Sequence, residues 1–149
     1  MPNSFSDNKY IYSVDLMIAY LYNKKPKYVN IEVKKLLHNM DYKCWGNPEI
    51  KELYSPHEVL NNPKKYKKDY DRILGADLSY PIIVSNEMNV IDGMHRLSKA
   101  YLENKKTIKV HKFNKTMMKK FIVGKKNEWD KVNKIRDYDL IILYLNRFG

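Results

Sequence analysis

The sequence predicts an α+β domain in which a small mixed sheet is flanked by helices, with a helical segment added at the C-terminus. Three observations predict it. Short apolar runs at residues 28–33, 82–84, 90–91 and 107–113, rich in Ile and Val, have the length and composition of strands. Longer segments between them repeat their apolar residues at helical spacing. The whole chain has 149 residues, which suits one domain with a substantial core and is short for two.

The elements follow in order. Ser13 is an N-cap for a helix through Asn23, with Val14, Met17, Ile18 and Leu21 on one face and Pro26 as its stop. Tyr28–Val33 alternates and reads as a strand, followed by a turn or short helix around Leu36-Leu37. Residues 41–54, holding Cys44, Trp45, Gly46 and Pro48, read as a loop, and a loop of that length is usually functional. Ser55-Pro56-His57-Glu58 has the form of a capping box with proline at the first helical position. Asn62-Pro63 opens another helix, with Tyr66, Tyr70, Ile73 and Leu74 inward and lysines outward. Two strands, a helix from Asp92 and a strand at residues 107–113 complete the core. From Thr116 the chain reads as helices. The expected organisation is therefore a domain over 1–115, with its core at about 29–113, and a helical extension over 116–149.

Composition narrows the function classes. A hydrophobic fraction of 44% is ordinary for a globular chain. The net charge of +11 creates a field that draws nucleotides, nucleic acid or acidic surfaces. Lys greatly outnumbers Arg, and Asn, Ile and Tyr are plentiful, a bias that AT-rich coding also produces, as in some large DNA viruses and low-GC bacteria. Coding bias and binding account for the charge equally well. The single Cys44 excludes an internal disulfide and fits a reducing compartment. A polar N-terminus and the lack of a spanning segment lead to an expectation of cytoplasmic residence, host cytoplasm or virion if the source is viral, with no membrane partner. No Cys/His spacing suggests a structural metal site, and no glycine-rich loop followed by Lys-Ser/Thr occurs.

The most informative stretch is Tyr80-Pro81-Ile82-Ile83-Val84, then Asn89-Val90-Ile91-Asp92-Gly93-Met94-His95-Arg96-Leu97-Ser98-Lys99-Ala100. Asp-Gly between apolar runs is also a hairpin signal. Here Met94, Leu97, Ser98 and Tyr101 fall at helical spacing, which argues for a strand-to-helix junction. The first N–H groups of a helix lack internal partners and carry the positive end of its dipole, so they suit a phosphate. Gly93 allows close backbone approach, Asp92 can cap the helix or hold a cation, and His95 and Arg96 add directed donors.

This constellation resembles the ParB/sulfiredoxin-like superfamily, and within it the stand-alone ParB-like proteins with a D-G-M-H-R motif. The matching residues are Ala76-Asp77-Leu78-Ser79-Tyr80-Pro81-Ile82-Ile83 and Asp92-Gly93-Met94-His95-Arg96 through Lys99-Ala100, followed by a strand at Thr107-Ile108-Lys109-Val110. The resemblance implies cofactor contacts from Asp92, Gly93, Met94, His95 and Arg96 to ATP or another nucleotide, with Mg2+. Sulfiredoxin places its catalytic cysteine where this chain has Met94, and a thioether cannot serve as the thiolate nucleophile. Reductase chemistry is therefore not expected. The related ParB-like free-serine kinases imply phosphotransfer to a small hydroxyl compound, with His95 and Arg96 catalytic and an acidic base. Asp41 is the candidate for that base, with Glu49 behind it; both also read as ordinary solvated carboxylates. The other expectation is a non-catalytic or DNA-binding module with weak, sequence-independent affinity for nucleic acid, through Lys-rich helices such as Pro63–Leu74.

Overall fold

Asn39 and Gly93 do much to set the geometry of one sheet, and an aromatic cluster anchors a second region of the chain. The computed structural model describes residues 3–49 and 51–149. The chain forms mixed α+β structure with small sheets flanked by helices. It divides into two units: one spans Tyr28–Lys112, and the other joins the segment ending at Lys27 to Phe113–Gly149.

The discontinuous unit contains β1 Ser4–Ser6, β2 Tyr10–Ser13 and α1 Val14–Lys24, then α5 Lys115–Lys119, β9 Ile122–Lys125, α6 Trp129–Asn133 and α7 Asp137–Phe148. Its sheet is antiparallel in the order β1-β2-β9. As expected, Ser13 caps α1, its hydroxyl accepting from the Leu16 N–H at 3.1 Å. Ile11, Leu16, Met17, Phe121 and Val132 are buried, and Phe113 packs against Phe121 with ring centres 4.8 Å apart. The tail is not wholly helical. Ile122 and Val123 lie in β9, too short a run for its period to show in sequence.

The 28–112 unit contains β3 Val29–Glu32, a 3-10 helix Val33–Asp41, β4 Trp45–Asn47, β5 Glu52–Tyr54, α2 Pro56–Asn61 and α3 Lys67–Gly75. It continues with β6 Ile82–Val84, β7 Val90–Asp92, α4 Met94–Leu102 and β8 Thr107–Lys112. The main sheet runs β3-β8-β6-β7, with β6 and β8 parallel and the outer pairs antiparallel. Its core joins Val33, Leu36, Met40, Ile82, Val84, Leu97, Ala100, Ile108 and Val110. The buried Asn39 amide donates to the Leu36 and Met88 carbonyls and accepts from the Val90 N–H, pinning the β6–β7 turn. β7 is thereby held where it delivers Asp92 and Gly93 to α4.

Two expectations fail here for identifiable reasons. Within the expected loop, Trp45–Asn47 and Glu52–Tyr54 pair as the antiparallel strands β4 and β5, with Trp45 opposite Tyr54. Strands of three residues are too short to show alternation. The helix expected from Asn62-Pro63 starts at Lys67, and Leu74 is half-exposed while Asp69 is buried. A carboxylate on the inward face breaks the apolar stripe, so a stripe reading passes over it.

Candidate functional site

α4 begins at Gly93, whose φ of +112° is open to glycine and strained for other residues. A Cβ there would lie 2.4 Å from Ile82 Cγ2 and 2.8 Å from Ile82 Cβ. The glycine is required by packing of the turn against β6. No side chain caps α4, so its first N–H groups lack a side-chain acceptor.

The motif residues around that turn separate into two jobs. Arg96 is a latch. Its Nη1 donates to the Tyr80 and Pro81 carbonyls at 3.1 and 2.7 Å, and its Nη2 donates to Asp92 Oδ2 at 3.0 Å. One turn on, Lys99 Nζ donates to the Ala76 carbonyl at 2.7 Å. Asp77 accepts from the Ser79 N–H, and Leu78 packs on the core. Much of the Ala76-to-Pro81 match and the Arg96/Lys99 match is thus one set of contacts binding that segment to α4. Met94 also packs on the core, and its thioether takes no part in a polar site.

His95 has the other job. Its Nε2 lies 3.0 Å from Asp69 Oδ1, and its ring stacks on Trp45 at 4.4 Å with 18° between planes. Asp69 is only 7% exposed, and its second oxygen accepts a short hydrogen bond from the Tyr54 hydroxyl. Burial and then that bond push the Tyr54 phenol up to about 12. Tyr54 stacks on Tyr66, whose hydroxyl donates to Glu52 at 2.5 Å. A carboxylate accepting from both partners requires Nε2 to carry the proton, which leaves the lone pair of neutral His95 on Nδ1. The imidazole is thus oriented by a buried acid and a tryptophan, with 28% of its side chain open to solvent.

The expected catalytic set is only partly assembled. His95, Arg96, Asp92 and Gly93 gather at the β7–α4 junction, but Asp41 pairs with His57, 2.6 Å from its Nδ1, and not with His95 or Arg96. Its side chain is 76% exposed. Glu49 is exposed too, its N–H bonded to Asn47 in the hairpin turn. The acid that does meet His95 is Asp69, which the sequence reading did not nominate. Cys44 is half-buried, and burial with a contribution from the Asp69 charge pushes its thiol up to about 11, so the reactive thiolate is scarce at neutral pH. Among the described residues no group of three or more His, Cys, Asp or Glu side chains is placed to hold a metal ion. No helix among them is long and apolar enough to cross a membrane. No family model, curated protein or solved structure matches the chain.

Proposed function

We propose that residues 28–112 form a ParB-like nucleotide-binding domain that transfers a phosphoryl group from ATP or another nucleotide to a small hydroxyl compound. The observation that carries the reading is the Asp69–His95 hydrogen bond beside the uncapped start of α4. The first-turn N–H groups would receive phosphate oxygens, and His95 Nδ1 would take the proton of the attacking hydroxyl. Asp69 holds the imidazole in the required tautomer and offsets the charge it gains, as a buried carboxylate does for a catalytic histidine elsewhere. Trp45 restricts the ring's rotation. Arg96 acts as a positioning residue, since its guanidinium already holds Asp92 and the 80–81 carbonyls.

Magnesium brought in with a nucleotide would supply charge compensation to its phosphates and would need few protein ligands. Asp92 fits that requirement: its side chain is 46% exposed, and Oδ2 is the oxygen engaged by Arg96, leaving Oδ1 for a cation. The test is a thermal-shift panel of ATP, CTP, GTP and ADP with and without Mg2+, followed by turnover assays against small hydroxyl compounds. A true ligand raises the midpoint as its concentration rises. Asp69→Asn should keep that shift while lowering turnover roughly 100-fold or more. A flat panel for every nucleotide would end the proposal.

A further inference from the structure

The discontinuous unit holds a feature that the proposed chemistry does not use. An open cavity of about 550 Å³ is lined by Lys9, Tyr10, Lys125, Lys126 and Asn127. Pairing of β2 with β9 sets Tyr10 opposite Lys125, and the Lys126 N–H donates to the Lys9 carbonyl at 3.0 Å. Three lysines from two segments far apart in sequence thus line one concavity. Among the described residues none of the three has an ion-pair partner. The carboxylates of the same loops are engaged by hydrogen bonds that do not involve these three ammonium groups. Asp7 accepts from the N–H groups of Lys9 and Tyr10 and from the Tyr12 hydroxyl, and Glu128 accepts from the Lys125 N–H and faces Lys131. Three lysines outnumber the two carboxylates beside them, and none is ion-paired, so the site carries a local positive field. A bound polyanion would relieve it.

We infer that this cavity binds single-stranded nucleic acid, with Lys9, Lys125 and Lys126 on consecutive phosphates and Tyr10 stacked on a base. Tyr10 is 37% exposed and lines the same wall as the lysines, the combination of cationic groove and aromatic platform that single strands use. The surface expected from sequence lacks that platform. On and beside α3, Lys65 and Lys67 are paired with Glu52 and Asp71, and the Tyr66 ring is buried with its hydroxyl on Glu52.

The experiment is fluorescence anisotropy with a labelled 12-nucleotide oligodeoxythymidylate at low and moderate salt. Lys9→Gln/Lys125→Gln/Lys126→Gln should lose at least tenfold in affinity, and its salt slope should be shallower by about 2. Tyr10→Ala should lose at least about fivefold, and Tyr10→Phe should bind as the parent does. A charge-matched control, Lys64→Gln/Lys68→Gln/Lys105→Gln, should lose far less. The single Lys126→Gln variant, expected to lose about threefold, carries the test if the triple variant melts early. Equal losses in the two triple variants would overturn the site. Full affinity in Tyr10→Ala, or displacement of the oligonucleotide by inorganic polyphosphate as readily as by unlabelled strand, would overturn the stacked-base assignment and leave a plain anion site.

Discussion

The two units treat charge in opposite ways. Within 28–112, 15 basic and 11 acidic side chains leave a net +4, and eight of the nine ion pairs among the described residues lie there. The shorter discontinuous unit has 13 basic and 6 acidic side chains, a net +7, and a single weak ion pair, Lys131–Glu128 at 3.9 Å. The motif-bearing unit spends its cations on structure: Arg96 and Lys99 bind backbone carbonyls. The other leaves Lys9, Lys125 and Lys126 around an open cavity. A formal charge of +11 therefore says little until each lysine is asked what it already holds.

The largest expected effect separates two glycines, one in each unit. A Cβ at Gly93 meets Ile82 at 2.4 Å with φ at +112°, so Gly93→Ala should cost about 3–5 kcal/mol from backbone strain and overpacking together. At Gly124 the approach is 3.0 Å to Val132 Cγ2, with no positive φ, and Gly124→Ala should cost only about 1–2 kcal/mol. Urea unfolding followed by hydrogen exchange at β6, β7 and α4 measures the first. Equal costs would remove the distinction between a strained junction and an ordinary close contact.

Next in size is the contrast between a committed cation and a free one. Arg96→Lys keeps the charge but loses the fork that spans Asp92 and two carbonyls, and should cost about 2–3 kcal/mol. Lys126→Gln, in a cavity of unpaired cations, should change stability by less than about 0.5 kcal/mol in either direction. If Lys at position 96 were harmless, the latch would be a crystal-like coincidence of geometry with no energetic content.

How far these features were legible depends on what each one leaves in the sequence. α1 carries a cap, α4 helical spacing, and β6, β7 and β8 compact runs of Ile and Val, and their positions follow from these. The strands β1, β4, β5 and β9 are three or four residues long, too short for alternation to show, and β9 is made by pairing with β2 from the far end of the sequence. At the site, His95, Asp92 and Gly93 were visible because they are adjacent. Asp69 was not, because its partner lies 26 residues away and its own neighbours are lysines and tyrosines at helical spacing. A carboxylate on the apolar side of α3 was the one available signal. Asp41 is a candidate base as an acidic residue that follows the first strand, and in the fold its hydrogen-bond partner is His57.

The reactivity of Cys44 gives a finer test of the 28–112 unit. With the thiol pushed up to about 11, alkylation by iodoacetamide at pH 8 should be at least tenfold slower than for a free thiol of ordinary pKa near 9. The rate should climb until the pH nears 11. A plateau near pH 8 would put a reactive thiolate beside Asp69 and reopen cysteine chemistry at the site.

The smallest effects concern acid, and a histidine of the 28–112 unit and a carboxylate of the other act in different pH windows. Burial lowers the His111 pKa below its ordinary 6.5, so the folded 28–112 unit prefers the neutral ring. The unfolded chain then binds the extra proton first. Stability is full above pH 6.5 and falls as the pH drops toward the folded value. In the other unit burial pushes the Asp7 carboxyl up, but bonds from Tyr12, Lys9 and Tyr10 outweigh it and hold the pKa below 3.8. Its contribution is intact above 3.8 and is lost only as the pH falls through the lower folded value. Urea midpoints for the parent chain should therefore decline modestly between pH 7 and 5 and again below pH 4. His111→Gln should flatten the upper step and leave the lower one, while Asp7→Asn should only shrink the lower step, to which Glu32, Glu52, Glu58 and Asp77 of the 28–112 unit also contribute. An upper step that survives His111→Gln would overturn its assignment to His111.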